Sequence, residues 1–244
     1  LSHEKLGAAN RAIIHRLRRK RIMIEIKNLN VSLGGAHILK DINLSIKEEN
    51  SIIGIFGPNG AGKTTLISVL TGSINNYTGV VKGICAKDIS YLPDKPFIYR
   101  YMKLEDAIKY YKDAFNDFDS DKAAKLLGKL GLKLNQKISQ CSKGMLEQIH
   151  MVLALSRNSD VYIFDEPLAA VDPLTRDDIM EMIKSERKKG SIVFISTHLI
   201  SDVESLFDSI IMVKDGKVIL HDNVQSLKKE NKADLETIFK EKLR

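Results

Sequence analysis

The chain has 244 residues, 43% apolar and 28% charged, with a net charge of +7. That is a globular composition, with enough length for one large core or two modest ones. Six of the seven net positive charges lie in residues 1–22, so the rest is nearly neutral and lacks the basic footprint of a nucleic-acid binder.

Residues 1–22 read as a basic leader. Ile13, Ile14 and Leu17 beside Arg11, Arg16, Arg18 and Arg19 suit a basic amphipathic helix on an anionic membrane surface. The plainer reading, an accessory extension ahead of the strand opening at Met23, is preferred. The leader lacks the apolar stretch of a secretory signal, so the cytoplasm is the expected compartment. No apolar run approaches the roughly 20 residues of a membrane-spanning helix. Cys85 and Cys141 stand in no metal or redox spacing.

From Met23 the pattern is β. Met23–Ile26 alternates, Gly34-Gly35 punctuates just after Leu33, and Ile42–Ile46 alternates again. This predicts an antiparallel sheet ahead of the apolar run Ser51–Phe56. Next comes Gly57-Pro58-Asn59-Gly60-Ala61-Gly62-Lys63-Thr64-Thr65, followed by the helix-like run Leu66–Leu70. Strand, glycine-rich loop and helix in this order make the setting of a phosphate-binding loop. Its glycines let backbone N–H groups crowd an anion, and the helix turns its positive end to the same point. Lys63 adds a mobile cation, and the Thr64 hydroxyl suits Mg²⁺.

Short strands follow at Thr78–Gly83 and Asp88–Tyr91. Residues 102–135 are helical in spacing and rich in aromatics, an α-helical insert between two parts of a sheet domain. Helices near 144–157, 174–188 and 199–206 then alternate with strands at 161–164, 192–195 and 209–213. Asp215-Gly216 marks a hairpin, and a polar tail after residue 222 predicts one or two surface helices. The fold class is α/β: a three-layer core with a mostly parallel sheet, an antiparallel β subdomain in front and the helical insert. Asp165-Glu166-Pro167 ends an apolar strand, where open α/β sheets bind ligands. Asp165 is expected to hold Mg²⁺ through water, and Glu166 to polarise an attacking water.

Over residues 23–225 the chain resembles the nucleotide-binding subunits of ATP-binding-cassette (ABC) transporters, which are P-loop NTPases. Gly57–Thr65 is similar to the Walker A loop and Val161–Glu166 to Walker B. Cys141-Ser142-Lys143-Gly144-Met145 stands at the signature sequence, Leu168–Asp172 at the D-loop and Ser196-Thr197-His198 at the H-loop. The resemblance implies an ATPase using ATP and Mg²⁺. It would pair head to tail with a second such subunit and drive membrane-spanning permease subunits on separate chains, from the inner face of the cell membrane. Ser142, Gly144 and Met145 would then face the partner's ATP, Asp172 would cross near the partner's Walker A, and His198 would steady the γ-phosphate and water. The ATPase domain is expected over 23–230, with its helical part at about 95–143 and a helical tail at 231–244.

Some positions depart from the family pattern. Leu33 stands where an adenine-stacking aromatic is usual, with His37 nearby but displaced, so weaker nucleotide affinity or base selectivity is expected. Asp94 replaces the usual glutamine, keeping an oxygen for Mg²⁺ beside Lys95. The signature reads Ser-Lys-Gly-Met, a variant resembling the subset that exports drugs, peptides or bacteriocins, and the stretch Gly79–Asp88 is short, predicting a trimmed front sheet. Export is therefore the expected direction, with Pro96–Tyr99 as the permease contact. The alternatives are a soluble ABC ATPase acting on ribosomes or nucleic acid and a small-molecule P-loop kinase. The first usually has two cassettes or a long coiled coil; the second leaves the signature and H-loop without a role.

Overall fold

Two sheets organise the molecule. The computed structural model describes residues 22–47, 49–95, 98–169, 171–200 and 203–243. Expectations for residues 1–21, for Pro96 and Phe97, and for Ala170 lie outside them.

In the front sheet, β1 (Ile24–Leu33) pairs antiparallel with both β2 (Ala36–Ile46) and β4 (Thr78–Lys82), in the order β2-β1-β4. Alternation buries Ile24 and Ile26, then breaks. Asn28 takes a left-handed φ of 49°, and the register shifts so that Leu29 and Val31 face inward. Among the described residues three strands make up this sheet.

The main sheet runs in the order β5-β6-β7-β3-β8-β9. Its strands are β3 (Ile52–Phe56), β5 (Ile89–Leu92), β6 (Val161–Asp165), β7 (Ile192–Ser196), β8 (Ser209–Lys214) and β9 (Lys217–Asn223). All pairs are parallel except β8–β9. Every residue of β3, β6 and β7 is buried, which is why these strands read as unbroken apolar runs.

One face of this sheet packs on the front sheet and on α1 (Lys63–Leu70). The other packs on α5 (Pro173–Glu186) and on the terminal helices α6 (Val224–Asn231) and α7 (Leu235–Leu243). A separate cluster holds the insert, α2 (Leu104–Ala114) and α3 (Ser120–Lys129), against α4 (Lys143–Leu155). No helix among the described residues is long and apolar enough to cross a membrane.

Two expectations need correction. Of the predicted helix at 199–206, the described residues (199–200 and 203–206) form only a 3₁₀ turn, Glu204–Leu206. Ile200, Val203 and Leu206 are all buried, and successive i→i−3 bonds join them (Val203 N–H to Ile200 O 3.2 Å, Leu206 N–H to Val203 O 2.9 Å). A three-residue spacing fits the 3₁₀ period rather than 3.6. The tail is helical but not superficial: Val224, Leu227, Leu235 and Ile238 are buried in the main core, and the Phe239 ring meets Phe56 edge-on at 6.4 Å.

Candidate nucleotide site

Strands β5, β6, β7 and β3 lie side by side and parallel, so their C-terminal ends fall in a row. β5 leads to Asp94, β6 to Asp165 and Glu166, β7 to His198, and β3 to the loop 57–62. Backbone register brings Ser196 beside both Ile55 and Asp165. The residues expected to meet one nucleotide's phosphates from a single chain are thus gathered by strand order.

The phosphate loop is held from outside. A Cβ on Gly57 would lie 2.2 Å from Val213 O, so only glycine lets the chain leave β3 this close to β8. Gly62, with φ 107°, turns the backbone into α1. The turn Asp215-Gly216 supports the loop: Gly216 N–H donates to Ala61 O (3.0 Å), and Lys40 N–H donates to Gly216 O (2.8 Å). That hairpin therefore clamps the loop to the front sheet, a role that its turn signal alone does not disclose.

Lys63 is 7% exposed and its Nζ donates to Gly57 O (2.8 Å) and Pro58 O (3.3 Å). The ammonium is curled over the loop, and no acidic residue in the first turn of α1 offsets the positive helix end. Pro58, Asn59, Gly60 and Thr64 are exposed, Thr65 is half-buried and Ala61 is buried. A buried lysine curled over the loop and an uncompensated helix end fit an anionic phosphate chain. Among the described residues no group of three or more His, Cys, Asp or Glu could hold a metal. The hydroxyl of Thr64 and the carboxylates of Asp94 and Asp165 suit a Mg²⁺ ion that keeps water and substrate phosphates as its other ligands.

Asp165 is 3% exposed, and its Oδ1 accepts from Ser196 Oγ at 2.5 Å. Glu166 has φ 51°, and its N–H donates to both Ser196 Oγ (2.9 Å) and Ser196 O (3.1 Å). From this turn its Oε2 meets His198 Nδ1 at 2.9 Å and His198 N–H at 3.3 Å. The two expected catalytic side chains are thus in direct contact. Ser196 links them to Asp165; the signal that could have found it is a hydroxyl ending an otherwise apolar strand.

Asp94 is exposed. The Tyr91 hydroxyl is pushed up to about 12, first by burial, then by the charges of Asp165 and Asp94. The same Asp94 charge reinforces the rise that burial causes at Glu147 on α4, against Lys143. Asp94 therefore lies within electrostatic reach of Tyr91, which also feels Asp165, and of Glu147 on the helix that follows Ser142.

Leu33 is 44% exposed at the tip of the front sheet, opposite Ala36. His37 Nε2 lies 3.2 Å from Asn30 Oδ1. Ser142 caps α4, its Oγ accepting the Met145 N–H (3.2 Å) while its own N–H points to the Met145 sulfur (3.5 Å). Asp172 caps α5 through Thr175 N–H (3.1 Å) and Thr175 Oγ1 (2.7 Å), bonds that hold its carboxyl below the usual range. A Cβ on Gly144 would stand 3.3 Å from Thr175 Oγ1 and 3.8 Å from Asp172 Oδ2. The Ser142 and Asp172 caps therefore form one surface patch, whose hydrogen bonds go to Met145 and Thr175 rather than to the phosphate loop.

Residues 39–169 match the sequence model of the ABC transporter family. The lantibiotic transport ATP-binding protein SrtF of Streptococcus pyogenes is 30% identical over 207 residues, covering 81% of this chain and 90% of SrtF. A Thermotoga maritima protein named "Probable metal transport system ATP-binding protein" is 31% identical over 224 residues, covering 89% of this chain and 90% of that protein. In fold, a solved ATP-binding subunit of an ABC transporter superposes with a TM-score of 0.80 at 23% identity, covering 90% of this chain and 99% of that one. The ordered strand ends, the family match over more than half of the chain and these relatives lead to one assignment: the chain belongs to the ABC transporter family, as an ATP-binding domain of the kind that hydrolyses ATP.

Proposed function

We propose that the chain is the motor subunit of an exporter. It pairs head to tail with a second cassette subunit around two ATP molecules and moves separate membrane-spanning permease subunits from the inner face of the cell membrane. The observation that carries this reading is the row of strand ends with Glu166 Oε2 2.9 Å from His198 Nδ1.

In this reading the loop amides of Gly57–Thr65 and the Lys63 ammonium bind and orient the outer phosphates. Leu33 offers adenine an apolar surface. Thr64, Asp165 and Asp94 would hold Mg²⁺, which when bound supplies charge neutralisation of the phosphates. Glu166 orients water and takes its proton as the water oxygen bonds to the γ-phosphorus and the bond from that phosphorus to the bridging oxygen breaks, ADP leaving with the bridging oxygen. His198, with 54% of its side chain exposed, has room to turn from Glu166 toward a phosphate oxygen.

The exposed caps of Ser142 and Asp172, with Gly144 and Met145 beside them, serve a nucleotide held by the second subunit. A helix N-terminus carrying a hydroxyl and open amides suits a γ-phosphate. Export is favoured by the Ser-Lys-Gly-Met signature and by SrtF's name. The ribosome or nucleic-acid alternative has no such support, because the relatives named above are transport proteins and the charge excess lies in residues 1–22.

The test is Glu166→Gln with ATP and Mg²⁺, followed by size-exclusion chromatography and phosphate release. The expected outcome is hydrolysis reduced by roughly a thousandfold, within the range of a lost catalytic base and its water, with an ATP-dependent dimer accumulating. Undiminished hydrolysis would remove Glu166 from the mechanism.

A further inference from the structure

We infer that Ser196 is a positioning residue for hydrolysis, fixing Glu166 in the turn from which its carboxylate meets His198. This rests on the reading of Glu166 as the group that orients water.

Ser196 is 0% exposed and ends β7 after four apolar residues, Ile192–Ile195. It is flanked by Ile55 on β3 and by Asp165 on β6. A hydroxyl at such a place must be paired, and a serine can donate once and accept twice. It donates to Asp165 Oδ1 at 2.5 Å and accepts the Glu166 N–H at 2.9 Å. One side chain thus ties the carboxylate of Asp165 to the backbone of Glu166.

The backbone of Glu166 needs that tie. Its φ of 51° lies in the left-handed region, which a side chain with a Cβ rarely adopts unless its surroundings impose it. The Glu166 N–H bond to Ser196 O (3.1 Å) is available to any residue at 196. The Oγ bond is not, and it locks the peptide from a second direction. From the locked turn Glu166 Oε2 reaches both His198 Nδ1 and His198 N–H. Without the Ser196 hydroxyl the peptide can relax, and the carboxylate drifts from the line of attack.

Two pairs of variants isolate the hydroxyl: Ser196→Ala against wild type, and Ser196→Val against the isosteric Ser196→Thr. The expected result is a roughly tenfold fall in kcat for the Ala and Val variants, as for a slightly misplaced catalytic group, with KM for ATP and the melting temperature little changed. Ser196→Thr should recover most of the rate. If Ser196→Ala does not fold, the Thr and Val pair carries the test alone. Full kcat in Ser196→Ala, or equal losses in Ser196→Thr and Ser196→Val, overturns the inference. Glu166→Gln is assayed beside them. If it is inactive while Ser196→Ala is fully active, only the role of Ser196 fails. If it is active, the reading of Glu166 itself fails.

Discussion

His150 lies on α4 with 2% of its surface exposed, and burial pushes its pKa down to about 4 from 6.5. The folded state thus holds the ring neutral where the unfolded chain would protonate it. Between pH 6.5 and 4 the unfolded state binds the extra proton, so stability is intact above 6.5 and falls as the pH drops through that window. The maximum loss is about 3 kcal/mol, because each tenfold difference in proton affinity between the two states is worth about 1.4 kcal/mol. Urea midpoints measured from pH 8 to 4 should show this acid limb, and His150→Leu should flatten it. Equal slopes for both proteins would place the acid sensitivity elsewhere. The contrast with Lys63, Asp165, Glu166 and His198 shows what one residue reveals in a sequence. Those four stand in motifs that the resemblance to the ABC family singles out. Ser196 acts through a cross-strand register, Asp165 opposite Ser196, that no local pattern encodes. Asp172 reads as an interface residue, yet its side chain also has the local task of capping α5.

Among the elements, α4 is the tie between the insert and the sheet domain. Ile149, Val152 and Leu153 pack into the insert's core, while Met151, Ala154 and Leu155 pack into the main one. Arg157, just past its end, completes the joint. It is 6% exposed, pairs with Asp117 (Nε to Oδ1 2.9 Å), donates to Ile89 O (2.6 Å) and stacks over the Phe115 ring at 4.0 Å. Removing the guanidinium takes the charged donor from the Ile89 carbonyl and the ion partner from Asp117, which keeps Ser159 Oγ (3.1 Å) and part of its exposure to water. Arg157→Ala should therefore cost about 2 kcal/mol, the scale of lost hydrogen bonds from a charged donor, read as a lower urea midpoint, with proteolysis within 104–140 becoming faster. A change below about 0.5 kcal/mol, the scale of an ordinary surface substitution, would show that apolar packing alone holds the insert. Helix α4 was legible because Ser142 signals an N-cap and its apolar residues recur. The 3₁₀ turn at 204–206 was not, because a buried three-residue period looks helical over so short a span.

At the scale of the molecule, the alternation of strands and helices after residue 144 was enough to imply a parallel sheet, and the glycine-rich loop placed its ligand end. The docking of α6 and α7 was hidden. Each presents only two buried residues, Val224 and Leu227 or Leu235 and Ile238, within a polar stretch. Which surface meets a permease is a question of the same scale. Between β5 and α2 lies a cavity of about 330 Å³ lined by Tyr91, Pro93, Tyr110, Tyr111 and Phe115 among others. In the segment joining β5 to α2, Tyr99 and Tyr101 stack on each other at 5.4 Å while remaining 63% and 73% exposed. Aromatic surface left in water at this density suits a protein contact. Its position on the segment that follows Asp94 would pass nucleotide-driven closure to whatever docks there. With Phe97 outside the described residues, the sharper test is the double substitution Tyr99→Ala and Tyr101→Ala. The isolated subunit should keep its ATPase rate within about twofold, since neither ring is needed for folding and surface changes are small. Reconstituted with the permease proposed as its partner, the variant should lose both transport and the permease's effect on hydrolysis. Full transport would move the docking surface away from this face, whereas a lost basal ATPase would tie the tyrosines to the nucleotide site itself.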